Sequence, residues 1–484
     1  MRRPTACALA GTFLAVGEGL AQPSPAYRPF DQPVRNYQVV GQATRPGTIG
    51  YCGISGYVEA ASGREFALVG TFTGTWIVET TNPSNPVEKG FFPGPTSLWR
   101  EISTYQHYAY VVTEGGGGVQ ILDLANPDAP AFVQTYTLPG WSNTHTVTVD
   151  RGAGRLYCNG ATAGMEILDL ADPVNPAPLA TYTSTYVHDS FVQNGRAYLS
   201  CTVAGEMRLL DVAALPTLTT ISLTATPLAS THNAVADSAD ALAVSADETG
   251  GGWIQLYDVS NPAAPLPLGS DFTPGVVIHG THLVDDKVLH VTHYTAGLRA
   301  LDLTDRNAPV EIGHYEPMSA WGSYPFQPSG VIYATDIPPA GGLRILRLSC
   351  GVPRRYGAGT AGSGGFVPEI DWDGGHARVG NPTFRLEARR LLGGTFAALA
   401  IASAPASVPV LGITLLVSPV PPPVLLLVPV AGAGPGAGTA ALTLPIPNDP
   451  DLANGTGYAQ WIALDPGGPQ GFSASAGVEV TLCP

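Results

Sequence analysis

The sequence predicts an all-β chain: a seven-bladed β-propeller closed by an N-terminal strand and followed by a C-terminal β-sandwich. Three observations carry this reading. A strand-and-turn motif returns about every 45 residues, Gly and Pro punctuate apolar runs throughout, and the composition changes near residue 350.

The motif reads GTWIVETTNPSNP at Gly74, GVQILDLANPDAP at Gly118, GMEILDLADPVNP at Gly164, EMRLLDVAALP at Glu206, WIQLYDVSNPAAP at Trp253 and GLRALDLTDRNAP at Gly297, with GLRILRLS at Gly342. Its acidic position falls at Glu79, Asp123, Asp169, Asp211, Asp258 and Asp302, and Arg347 stands there in the last copy. Successive copies are therefore 44, 46, 42, 47, 44 and 45 residues apart. Four strands in such a period make one propeller blade. Helical repeats of that length need apolar residues three and four apart, and these runs lack them.

Each copy divides into four strands. In the third, THTVTVD from Thr144 is strand one, RLYCNG strand two, MEILDL strand three and APLATYT strand four. The Asn-Pro or Asp-Pro pair makes the turn after strand three: proline cannot donate to a ladder, and Asn or Asp bonds back to the backbone. The repeated acidic residues are expected to accept bonds in that turn. The seventh copy stops at Cys350 without a fourth strand, and a matching segment, NYQVVGQATRPG, stands alone at Asn36. Pairing the two closes the ring and hides two sheet edges.

The remaining boundaries follow from composition. Arg2 and Arg3 precede an apolar stretch from Ala6 to Val16, and small residues surround Ala21, which reads as a secretory signal peptide over residues 1–21. Cys7 precedes that stretch, so a lipid-modified cysteine is not expected. The propeller is expected over 36–349, a flexible Gly/Ser-rich linker over 350–366 and the sandwich over 367–484. The stretch from Val408 to Val430 is apolar enough for a membrane span, but Pro409, Pro419, Pro421, Pro422, Pro423 and Pro429 exclude a helix and favour short strands. No transmembrane segment is expected in the mature chain.

Charge limits the partners. The net charge is −15, and Lys89 and Lys287 are the only lysines. Nucleic acid and anionic membranes need clustered cations, so neither is expected. Five cysteines remain after cleavage at Ala21, an odd number for an oxidising compartment. Cys350 with Cys483 is the favoured pair. Cys158 and Cys201 sit on adjacent blades, which is too far apart for an easy bridge.

Candidate chemistry gathers at one mouth of the channel. His145, His188, His232 and His279 open strand one in consecutive copies, Arg100 holds the equivalent place in the second, and His282 follows close behind His279. The loops joining strands two and three rise on the same face with Glu114, Asp247, Glu248, His293, Tyr294 and Asp336, while Asp189 adjoins His188. Imidazoles and carboxylates in such an arc suit Zn²⁺ or another divalent metal. The other reading is structural, with each histidine tying its blade to a carbonyl of the next. Trp99 and Trp321 look exposed on the same face and suit a glycan or peptide. The Gly-rich runs at Thr113 and Asp247 read as inter-strand loops, and no nucleophile elbow, phosphate loop or CxxC pair is visible.

The ILDL-xNPxxP copies, SLWREISTYQHYAYVVTEGGGGVQILDL from Ser97 and HDSFVQNGRAYLSC from His188 resemble LVIVD-repeat proteins, and more closely the choice-of-anchor B family of exported bacterial proteins. The resemblance covers roughly Tyr37 to Leu348. It implies a propeller carrying varied C-terminal modules and no established catalysis. The expectation is therefore a secreted or cell-surface binding protein, with a protein, glycan or small ligand on one propeller face and no catalytic residues. The alternative is a metal-dependent hydrolase using the histidine arc with Asp189, Glu114 or Glu248 as base.

Overall fold

The computed structural model describes residues 32–484 apart from 142, 163 and 338–340. The expected signal peptide over 1–21 lies outside the described residues. The chain is all-β, and among the described residues the helical elements are three short 3-10 turns.

Seven antiparallel sheets form between residues 34 and 348, six with four strands and one with five. The second sheet is typical, with strands Arg100–Tyr105, Tyr108–Thr113, Val119–Asp123 and Ala131–Tyr136 following one another outward. Strands two and three are buried on both faces, which is why they read as apolar runs, while the fourth strand is largely exposed. First strands contact one another in chain order, and Ala320–Tyr324 of the seventh sheet contacts Tyr51–Val58 of the first.

The recurring acidic residues act as the turn chemistry requires. Asp123, Asp169, Asp211, Asp258 and Asp302 each accept a bond from the backbone N–H two residues on, at 2.8 to 2.9 Å. Glu79 differs and pairs with Arg64 and Lys89 instead.

The N-terminal segment joins two sheets. Val34–Arg35 extends the sixth along Val310–Tyr315, and Tyr37–Ala43 then pairs with Gly342–Leu348 in the register Tyr37↔Leu348 to Ala43↔Leu343. The seventh sheet thus takes one strand from before the first repeat and three from the last.

The C-terminal segment builds three sheets. One runs in the order Arg354–Tyr356, Phe472–Thr481, Thr456–Leu464, Phe396–Ala402, Val424–Pro429; a second joins Glu369–Asp373, Arg385–Gly393 and Gly434–Thr443; a third is the hairpin Pro405–Val410 with Ile413–Val417. The proline-rich stretch is therefore strand and turn, and among the described residues no helix is long and apolar enough to cross a membrane. The expected flexible linker needs correcting. Arg354–Tyr356 is an edge strand paired with Phe472–Thr481, and the Ser363 backbone donates to the Asp465 carboxylate at 3.0 Å.

A continuous apolar core joins this segment to the repeats. Tyr37, Val288, Leu298 and Leu346 belong to the same buried cluster as Ile370, Trp372, Phe384 and Trp461. Polar clasps surround it: Lys287 Nζ lies 2.8 Å from Asp371, Arg355 Nη1 2.9 Å from Asp285, and His376 Nδ1 3.1 Å from Asp302. Cys350 and Cys483 form the expected disulfide, and Cys52, Cys158 and Cys201 are free and buried.

Candidate functional site

The first strands line a central cavity of about 750 Å³ bordered by Glu101, His188, Asp189, His232, Asn233 and His279 among others. The histidines enter it by repetition. His145, His188 and His279 each donate the backbone N–H to a carbonyl of strand two in their own sheet, which fixes the same entry point copy after copy.

Their rings form a continuous arc. Centroids lie 4.1 Å apart for His145 and His188, 4.0 Å for His188 and His232, and 4.7 Å for His232 and His279. Trp321 continues it at 4.7 Å from His279, and Trp99 lies 6.5 Å beyond. The exposure expected of the tryptophans is corrected: Trp321 is 9% exposed and Trp99 half-buried, because Trp321 takes the histidine's place in its copy and packs between neighbours.

Carboxylates from the expected loops meet the arc. Glu114 Oε1 stands 2.6 Å from His145 Nδ1, Glu248 Oε2 stands 3.3 Å from His232 Nε2, and the Tyr294 hydroxyl donates to Glu248 Oε1 at 2.8 Å. Burial holds the imidazoles of His188, His232 and His279 below the usual histidine range, the latter two at about 3, and neighbouring imidazoles add to the effect. These three imidazoles are therefore neutral at pH 7. The backbone of the equivalent residue in the next copy partly offsets the shift for each ring.

Other expected residues serve elsewhere. Arg100 is 0% exposed and donates from Nε to the Thr71 carbonyl at 2.9 Å, so it fastens adjacent sheets and presents no charge to the cavity. Asp336 is 1% exposed and held by Arg344 Nη2 at 2.9 Å and the Ser319 backbone at 3.0 Å. Asp247 is also internal, accepting from Thr226 Oγ1 and the Leu228 backbone. His282 lies apart from the arc with its ring against Phe326 at 5.5 Å, and burial lowers it to about 4. Of the five expected metal ligands, only His188 and His232 enter the one His/Cys/Asp/Glu cluster of metal-binding size found among the described residues, and Glu248 is its third member.

Asp189 belongs to a polar belt one residue deeper. It accepts from Thr146 Oγ1 at 3.1 Å and from Asn233 Nδ2 at 2.6 Å, and burial raises its carboxyl above the ordinary value. Sequence reasoning missed Glu101 in this belt. Burial pushes its carboxyl up to about 7 against the opposing pull of His145 and of the Trp321 indole, which donates to it at 3.4 Å. The clue was present, because Glu101 follows Arg100 as Asp189 follows His188.

Four-stranded meanders whose first strands ring one channel define a β-propeller, and a solved β-propeller domain has the same fold. The β-propeller domain of Myceliophteria thermophila Cps50 (Swd1) matches with a TM-score of 0.51 at 9% identity, over 64% of this chain and 99% of that one. The chain solved as "Structure of U3-55K" matches with a TM-score of 0.48 at 11% identity, over 64% and 98%. More particularly, residues 100–138 match the LVIVD repeat. No curated protein sequence matches the chain.

Proposed function

We propose that this chain is an exported binding protein of the choice-of-anchor B kind, a seven-bladed propeller with a C-terminal β-sandwich, and that it takes a small ligand or glycan end at the channel mouth. The carrying observation is the unbroken arc of rings from His145 to Trp99 beside Glu101, Glu114 and Glu248. The half-buried rings of Trp99 and His279 suit the C–H surface of a sugar, and carboxylates accept its hydroxyls. The cavity of about 750 Å³, which the arc borders through His188, His232 and His279 beside Glu101, is in the range of small-ligand sites and too small for a folded partner. Export rests on the basic and apolar start of the sequence, and seven blades rest on seven sheets with the N-terminal strand supplying the missing ladder. The hydrolase alternative is not carried forward.

A glycan array followed by calorimetry tests the reading. Millimolar or tighter binding of a small saccharide, weakened about tenfold or more by Trp99→Ala or Glu101→Gln, is the expected result. Absence of any saccharide binding, or binding indifferent to both changes, overturns it.

A further inference from the structure

The arc contains one place where imidazole and carboxylate atoms converge without completing each other's bonding. His188, His232 and Glu248 each offer a ligand atom, and the three lie within 4.8 Å of one another. His232 Nε2 and Glu248 Oε2 are 3.3 Å apart. Two donors held about 2.0–2.2 Å from a tetrahedral centre are separated by roughly 3.4 Å, so this pair already has the bite of a metal chelate. The Nδ1 atoms of His188 and His232 are buried and make no hydrogen bond. Leaving such an atom unpaired costs about 1–3 kcal/mol; an ion held at His188 Nδ1 would remove that cost there, while His232 would meet the ion through the Nε2 that faces Glu248.

We propose that His188, His232 and Glu248 bind one divalent transition-metal ion, with Zn²⁺ the best fit. Two imidazoles and a carboxylate are a borderline-soft donor set that favours zinc over Mg²⁺ or Ca²⁺, both of which require more oxygen ligands. Tyr294, donating to Glu248 Oε1, orients the carboxylate from behind, as outer partners of metal ligands do. Glu248 lies beside the Gly250–Gly252 run, so the loop has freedom to bring its oxygen onto the ion. The fourth position opens to the cavity, where His188 and His232 form part of the wall. Metal uptake does not depend on the saccharide reading and is measured without any organic ligand.

The mature chain, purified without a histidine tag and stripped by chelator, is titrated with Co²⁺ followed by absorbance and with Zn²⁺ in competition. One equivalent is expected, with a tetrahedral Co²⁺ spectrum that Zn²⁺ abolishes. Glu248→Gln, in a surface loop, should weaken binding at least tenfold while far-UV circular dichroism is unchanged, and His188→Gln should remove it. His107→Gln, which alters a histidine outside the cluster, should leave the stoichiometry at one. Failure of the wild-type chain to take up stoichiometric metal overturns the proposal, as does uptake undiminished by Glu248→Gln. Should His188→Gln fail to fold, the Glu248 variant decides alone.

Discussion

The phenol oxygen of Tyr37 lies 3.1 Å from Nδ1 of His290, a residue 253 positions later in the neighbouring sheet. The strand that completes the seventh sheet is therefore also bonded sideways into the sixth. Tyr37→Phe should cost about 0.5–1.5 kcal/mol through that bond alone. Deleting residues 36–46 removes the whole ladder and should lower the melting temperature by roughly 10 °C or more, with aggregation through the exposed edge. Calorimetry and light scattering read both, and a deletion that melts like the parent removes the case for closure.

The Cys350–Cys483 bridge encloses a segment of 133 residues by sequence separation. Removing it by Cys350→Ser should reduce unfolding free energy by about 2–4 kcal/mol in denaturant titration. Peptide mapping without reductant should recover these two cysteines joined, with Cys52, Cys158 and Cys201 alkylated only after unfolding. Rapid alkylation of any of those three in the folded chain would contradict their burial.

Acid should weaken the fold from within. His282 and His290 face each other across two strands, and burial lowers them to about 4 and about 3 from 6.5. Between those values and 6.5 the unfolded chain binds more protons, so stability is complete above pH 6.5 and falls as pH drops through the window. Glu101 has the opposite sign. Its carboxyl, raised from 4.5 to about 7, makes the folded chain the better proton acceptor, so this group's contribution declines as pH rises from 4.5 to 7. Glu101→Gln should therefore gain stability at pH 8 relative to pH 5, by up to about 3 kcal/mol. A variant with the parent's pH profile of melting temperature would show that Glu101 titrates normally.

The Asp302 carboxylate serves two segments, its own turn through Thr304 and the C-terminal module through His376. Burial alone would raise this carboxyl, but the bonds from His376 and Thr304 outweigh it and hold it below the ordinary value. Its contribution is present above about pH 4 and is lost as pH falls. His376→Ala should cost about 1–3 kcal/mol and speed proteolysis near residue 350. In a double-mutant cycle with Asp302→Asn the two changes should be non-additive; simple additivity would show that the clasp contributes nothing.

What sequence could reveal here was whatever repetition made visible. The turn aspartates recur at one place in five consecutive copies and the stacked histidines at one place in four, so the copies read one another. Glu101 escaped because a single copy departs from the pattern there, and Arg100 was placed but not aimed: whether a charge faces the cavity or a neighbouring sheet depends on side-chain direction, which spacing does not encode. The C-terminal module has no internal repeat. Its strands were legible from proline and apolar alternation, but their order was not, since Phe396–Ala402 pairs with both Val424–Pro429 and Thr456–Leu464 across intervening hairpins. The linker was misread because Gly and Ser in 357–365 suit tight contacts as well as loose chain: a Cβ at Gly362 would sit 1.9 Å from an Asp465 oxygen.

The pairing of Tyr37 with Leu348 also orders events in time. The strand made first waits, unpaired, until more than three hundred further residues have been synthesised, so the seventh sheet is the last to form and has the longest loop to close. Until then both ends of a growing row of sheets are open edges, prone to pairing with other chains. A chain that crossed a membrane unfolded and closed its ring on the far side would meet this hazard away from the crowd of nascent copies.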